Sequence, residues 1–129
     1  MADLAGDFSI ADVAATPQTT VVDVTGEIDM DTGPAFHEGL LHAIGAGRGG
    51  LIVDLSQATF LDSSALTSLV NAFDNLRKLG GGRLAIVATD PRMRALFDVA
   101  RLDRDFRIFE TRTDALAAFD AEHQPEPAS

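Results

Sequence analysis

The chain has 129 residues, 46% of them apolar, enough for one packed domain and too many for a disordered polymer. Its 20 acidic residues outnumber 10 basic ones, for a formal net charge of −10, so nucleic acid and anionic membrane surfaces would be repelled. Cysteine is absent, which excludes a disulfide framework and leaves the apolar core to hold the fold. The opening Met1-Ala2-Asp3-Leu4-Ala5-Gly6-Asp7 lacks the apolar run of a signal peptide, and nowhere are 18 apolar residues consecutive. The expected location is the cytoplasm.

Phe8 to Val13 alternates apolar and polar residues, and Thr19 to Val24 is rich in β-branched ones, so Thr16-Pro17-Gln18 reads as the turn of an N-terminal hairpin. Gly26-Glu27-Ile28-Asp29 leads into a turn, and Pro34 marks the first turn of a helix capped by Asp31 or Thr32. That helix is expected to reach about Ile44, with Phe36, Leu40, Leu41 and Ile44 on its apolar stripe. After a glycine-rich break, Leu51-Ile52-Val53-Asp54-Leu55 is the short apolar run of a strand covered on both faces. Asp62-Ser63-Ser64 then supplies capping residues for a second helix carrying Leu66, Leu69, Val70, Phe73 and Leu76.

Gly80-Gly81-Gly82 ends that helix, and Arg83 to Ala88 reads as a further strand. Asp90-Pro91 opens a third helix with Met93, Leu96, Phe97 and Ala100 along it. A weak strand at Phe106-Arg107-Ile108-Phe109 precedes a last helix from about Thr113, with Leu116 and Phe119 facing inward. The alternation predicts an α/β fold: a central mixed sheet of about five strands, hairpin first and then parallel β-α units, packed with about four helices. One domain is expected over 1–122, with a disordered tail at 123–129, where prolines and glutamates cannot bury apolar area.

Gly45, Gly47 and Gly50 match G-x-G-x-x-G, but they follow a helix and precede a strand, so no helix N-terminus would face a phosphate. His37, His42 and His123 lack i,i+4 spacing, and without cysteine no zinc site is expected. Neither serine of Asp62-Ser63-Ser64 lies in a G-x-S-x-G elbow, so acyl transfer is not expected either. Asp54 at the end of an apolar strand invites comparison with the phosphoacceptor of receiver domains, with Glu27, Asp29 and Asp31 as possible Mg²⁺ ligands. The lysine that such a site needs after its late strand is missing from Ile108-Phe109-Glu110-Thr111. For Asp62-Ser63-Ser64 simple capping is one reading. The apolar Thr59-Phe60-Leu61 before it, and the favourable meeting of a phosphate with a helix N-terminus, point to a modified hydroxyl on a docking surface.

At these positions the chain resembles the anti-sigma factor antagonists, which share the STAS fold with the cytoplasmic domains of sulfate transporters. Gly26-Glu27-Ile28-Asp29 matches the family's G-E-[LI]-D step, Leu51 to Ser56 its central strand, and Phe60-Leu61-Asp62-Ser63-Ser64-Ala65-Leu66 its signature loop. Gly81-Gly82-Arg83-Leu84 and Val99-Ala100-Arg101-Leu102 fall where the family has related stretches. The resemblance implies a non-enzymatic partner switch without metal or cofactor. The unmodified protein would bind an anti-sigma factor that is also a serine kinase, freeing a sigma factor. Phosphorylation of Ser63 would end the binding, and a serine phosphatase would restore it. Glu27, Asp29, Phe60, Asp62, Ser63 and Ser64 are the implied partner-binding residues. Ala65 stands where the archetypes have glycine, a change that favours the helix slightly. A STAS scaffold in a stress-signalling or transport complex, or a ligand-sensing module using the apolar rim at Phe60, would use the same fold without the switch.

Overall fold

A computed structural model of the chain describes residues 8–47, 49–78, 82–99 and 106–123. The expected hairpin forms from β1 (Ser9–Thr16) and β2 (Thr19–Ile28), joined at Pro17 and Gln18. There follow α1 (Gly33–Gly45), β3 (Gly50–Leu61), α2 (Ser63–Lys78), β4 (Arg83–Val87), α3 (Pro91–Val99), β5 (Arg107–Phe109) and α4 (Arg112–His123). The strands make one sheet in the order β1-β2-β3-β4-β5, with β1 antiparallel to β2 and all later pairs parallel. This is the mixed five-stranded sheet with four helices that the sequence predicts.

Parallel neighbours need a crossover, and crossovers are right-handed. Because the sheet advances in one direction from β2 to β5, right-handed crossovers lay α1, α2 and α3 on the same face. The main core lies there: Phe36 and Leu40 of α1, Leu69 and Leu76 of α2 and Met93 and Phe97 of α3 pack on Val22, Val24, Leu51, Val53, Leu55 and Ile86. The opposite face is left to α4, whose Ala115 and Phe119 cover Val21, Ile52, Ala85 and Val87. Strand β3 therefore alternates between two buried faces, which explains its continuous apolar run.

Several expectations need correction. Strand β3 does not stop near Leu55 but runs to Leu61, because β2 remains paired with it as far as Ile28. Leu41 and Leu96 are exposed, since α1 buries Phe36, Leu40, Ala43 and Ile44 and α3 buries only Met93 and Phe97. In α2 the innermost line is Ala65, Ser68, Leu69, Ala72 and Leu76, with Leu66, Val70 and Phe73 half-buried on its flank. Small residues let α2 sit close to α1 and the sheet. Of the tail expected at 123–129, His123 is instead the last residue of α4, and the rest from Gln124 onward, Ala100 of the third helix, and Gly80 and Gly81 lie outside the described residues. In the glycine-rich break, Gly47 and Gly49 have φ of +76° and +86°, a left-handed backbone that suits a loop between helix and strand.

An ion network that sequence reading missed pins α4 to the sheet. The Arg112 Nε donates to Asp54 Oδ2 at 2.9 Å, and its Nη2 pairs with both Asp54 and Asp23. The other Asp54 oxygen accepts from the Ser56 amide at 2.9 Å and the Ser56 hydroxyl at 2.6 Å. The Asp54 side chain is only 7% exposed, so removing its cation leaves a buried charge supported, among the described residues, by Ser56. Arg112→Ala is expected to lower stability by about 3 kcal/mol, and adding Asp54→Ala to recover part of the loss. Urea unfolding of both variants checks this, and an unchanged midpoint for Arg112→Ala would show the network to be energetically idle.

Candidate functional site

The G-E-I-D step and the D-S-S loop are neighbours because β2 and β3 end together. Glu27 pairs with Phe60 and Ile28 with Leu61, and the Asp62 amide donates to the Ile28 carbonyl at 3.1 Å. Gly26 carries a φ of +91° at a register shift, a conformation that side chains rarely adopt and the reason this position takes glycine. Beyond it, the chain turns around Asp29. The Asp29 Oδ1 accepts the amides of Asp31 and Thr32 at 3.0 and 3.1 Å, while the Thr32 hydroxyl accepts the Asp29 amide at 2.9 Å and donates to the Glu27 carbonyl at 2.8 Å. Thr32 holds the N-cap position of α1, yet its side chain is turned back into this loop and makes no cap hydrogen bond. The organising role of Thr32 was not foreseen. The Asp-x-x-Thr spacing is the signal that could have found it.

Asp62 caps α2. Its Oδ1 accepts the Ser64 hydroxyl at 2.6 Å, the Ser64 amide at 2.9 Å and the Ala65 amide at 3.2 Å. The hydroxyl of Ser64, helped by these amides, holds the Asp62 carboxyl below its ordinary value of 3.8. Ser63 therefore occupies the first helical position rather than the cap, with an exposed side chain. Among the described residues nothing hydrogen-bonds its hydroxyl. The two serines thus differ in kind, one hydroxyl open to solvent and the other held by Asp62.

The two loops touch directly. A Cβ on Gly33, the first residue of α1, would stand 3.2 Å from Ser64 Oγ. Around them Glu27 is exposed, Asp29 and Asp62 are half-buried, and Phe60 is 49% exposed. All six residues singled out in the sequence lie at this edge. Phe60 lines a shallow cleft of about 290 Å³ with Met93, Leu96, Asp90 and Arg92. On the other side, Met30, Gly33, Pro34, His37, Ser64, Ser68 and Asn71 enclose a cleft of about 390 Å³ between α1 and α2. Asp54 is not part of the edge. It pairs across the sheet with Asp23, four residues before Glu27 and so about 13 Å along the strand, and a guanidinium fills its coordination. Among the described residues no group of three His, Cys, Asp or Glu side chains could hold a metal ion.

A family model described as the STAS domain matches residues 11–115. The chain belongs to the STAS domain family. It is similar to the anti-sigma-F factor antagonist RsfB of Mycobacterium tuberculosis, with 31% identity over 113 residues, 87% of this chain and 90% of RsfB. A crystal structure of an anti-sigma factor antagonist from Mycobacterium paratuberculosis superposes with a TM-score of 0.81 at 28% identity, over 91% of this chain and 97% of that one. The unphosphorylated form of SpoIIAA, a Bacillus protein, has the same fold, with a TM-score of 0.73 at 20% identity over 88% and 97% of the two chains. No described helix of this STAS domain is long and apolar enough to cross a membrane.

The cap gives the domain an acid limb. Because the folded-state pKa of Asp62 is depressed, its contribution is complete above the ordinary value of 3.8 and fades as pH falls through the lower folded value. Asp62→Ala is expected to cost about 0.5–2 kcal/mol at pH 7, whereas Asp62→Asn keeps the cap and loses only the acid-sensitive part. Unfolding curves from pH 7 to pH 2 check this. If Asp62→Asn and the wild type lose stability equally below pH 4, the carboxylate cap is not what titrates.

Proposed function

We propose that this STAS domain is an anti-sigma factor antagonist that docks an anti-sigma factor with its Ser63 edge and is released when that partner, acting as a serine kinase, phosphorylates Ser63. The observation that carries the reading is the inequality of the two serines. A kinase needs a hydroxyl that can leave the protein surface and enter a foreign active site. Ser63 offers one without breaking a bond, whereas Ser64 would first have to give up its 2.6 Å hydrogen bond to Asp62. The similarity to RsfB along nearly the whole chain supports the partner class. A serine phosphatase would complete the cycle, and none of it calls for catalytic groups in this chain.

Release is electrostatic in this reading. A phosphate on the first residue of α2 meets the positive end of the helix dipole, so the fold tolerates it. The same dianion stands beside Asp62, with Asp29 and Glu27 on the facing loop, and a partner burying the edge would have to desolvate it. Phe60 and the half-buried carboxylates give that partner an apolar anchor ringed by acid, which favours a basic, partly apolar docking face.

Two substitutions at one position test the reading against the purified anti-sigma factors of the source genome. Ser63→Ala is expected to change stability by less than about 0.5 kcal/mol, because Asp62 and not Ser63 is the cap, to bind normally and to accept no phosphate. Ser63→Asp is expected to melt within a few degrees of wild type yet to bind at least about 100-fold more weakly. Calorimetric titration and mass spectrometry after incubation with ATP read both outcomes. Tight binding by Ser63→Asp, or phosphate on Ser64 or Asp54, would overturn the assignment.

A further inference from the structure

The cleft between α1 and α2 holds a polar group with no hydrogen-bond partner among the described residues. Ser68 is 8% exposed and lines the cleft. Among the described residues its hydroxyl makes no hydrogen bond. Its helix neighbour Thr67, one position earlier, does bond back to the Ser63 carbonyl at 3.1 Å, so the ordinary way for a helical hydroxyl to satisfy itself is used next door and not here. A buried hydroxyl without a partner is costly, and such groups in native proteins call for an explanation.

The walls say what would fit. Pro34 and the 81% exposed Met30 form an apolar flank, and Met30 can adjust its shape to a visitor. Gly33 has no side chain, which leaves the hollow open beside Ser64. The remaining wall is His37, Ser64, Ser68 and Asn71, so no carboxylate, ammonium or guanidinium lines the space. Among the described residues a cationic tip would find no carboxylate there and an anionic one only the His37 imidazole, and a purely aliphatic tip would leave Ser68 unpaired. The match is an uncharged side chain with an apolar body and one polar tip, the chemistry of tyrosine.

We propose that this cleft is a docking pocket for such a side chain, a tyrosine-like anchor of the partner protein that covers Ser63. The proposal rests on the reading of the Ser63 edge as a partner surface, since Ser64 is shared by the cleft and the signature loop. The phenol body lies against Met30 and Pro34, and its hydroxyl exchanges a hydrogen bond with the buried Ser68, with Asn71 at the exposed rim. Two contacts of different character then bracket the phosphoacceptor, the anchor in the cleft and the apolar contact at Phe60.

The test uses 4-methylphenol and toluene as probes on the full chain, with the ¹³C-labelled methyl of Met30 observed by NMR and the δ1 methyl of Ile52, fully buried under α4 on the opposite face of the sheet, as the control. Saturable shifts at Met30 and not at Ile52 are expected, with 4-methylphenol about three- to tenfold tighter than toluene. Ser68→Ala is expected to bring that ratio to about one. No saturable shift at Met30, equal affinity for the two probes, or an unchanged ratio in Ser68→Ala each overturns the pocket. A second arm measures anti-sigma factor binding to Ser68→Leu, which fills the cleft, after thermal unfolding has shown it folded. A loss of at least about tenfold supports the protein anchor. If the probes bind as expected but Ser68→Leu leaves partner affinity unchanged, the cleft serves a small molecule and the proposal fails. If Ser68→Leu weakens binding while Ser63→Asp does not, the pocket stands and the phosphoswitch falls. If no anti-sigma factor binds the wild type, the partner part falls with the proposed function.

Discussion

Everything at the Ser63 edge depends on β2 and β3 staying paired to their last residues. A single amide, that of Asp62 donating to the Ile28 carbonyl, extends that pairing past the end of the strands and fixes the start of α2 against the start of the loop to α1. Were β3 to stop near Leu55, the Asp62-Ser63-Ser64 turn would have no fixed relation to Glu27 and Asp29. The parallel arrangement matters equally. Two parallel strands deliver their following loops to the same end of the sheet, which is where binding sites in parallel α/β folds accumulate. The β-α units thus collect two sequence-distant motifs on one surface, and right-handed crossovers keep the helices behind it.

Two of the three acidic residues of the edge, Asp29 and Asp62, also shape their own loops. Asp29 gathers amides of the turn after β2, and Asp62 gathers amides and a hydroxyl at the start of α2. Each carboxylate is therefore fixed in place before any partner arrives, so little side-chain entropy remains to be lost on docking. Glu27, exposed on the strand, lacks such constraints in its surroundings and contributes through charge. Substitutions at the three positions are accordingly not equivalent. Loss of Asp29 or Asp62 disturbs loop shape and charge together, whereas loss of Glu27 changes charge alone.

The sequence made the fold legible where one physical signal dominated. Strand β3 was visible as a five-residue run with four apolar residues because it is covered on both faces, and α2 was visible from its capping residues and periodic leucines. The second half of β3 was not, since Ser56, Gln57, Thr59 and Phe60 are exposed and their strand geometry comes only from pairing with β2. Leu41 and Leu96 misled because a helical stripe is wider than the contact beneath it, and apolar residues at its margin can remain in water. The residues of the candidate site came from the resemblance to the family's motifs, which did not give their division of labour. Which of Asp62, Ser63 and Ser64 caps the helix depends on a backbone rotation of one residue, and no composition signal encodes that.

The Arg112 network was illegible for a different reason. Its members stand 58 and 89 residues from Arg112 along the chain, and neither Asp23 nor Asp54 belongs to a local pattern that announces a cation. Asp54 within an apolar run was the one anomaly, since a carboxylate among Ile52, Val53 and Leu55 must be compensated by something. A phosphoacceptor site answers that demand with a metal; here the compensation is the guanidinium at the first residue of α4. The choice has a structural consequence. A cation at the N-terminus of a helix opposes the helix dipole, and Arg112 is tolerated there because its charge is met by two carboxylates of the sheet. The network therefore ties α4 to the sheet at the position where the helix alone would least favour a positive charge. It does so on the face opposite α2, which leaves the Ser63 edge free of the constraint.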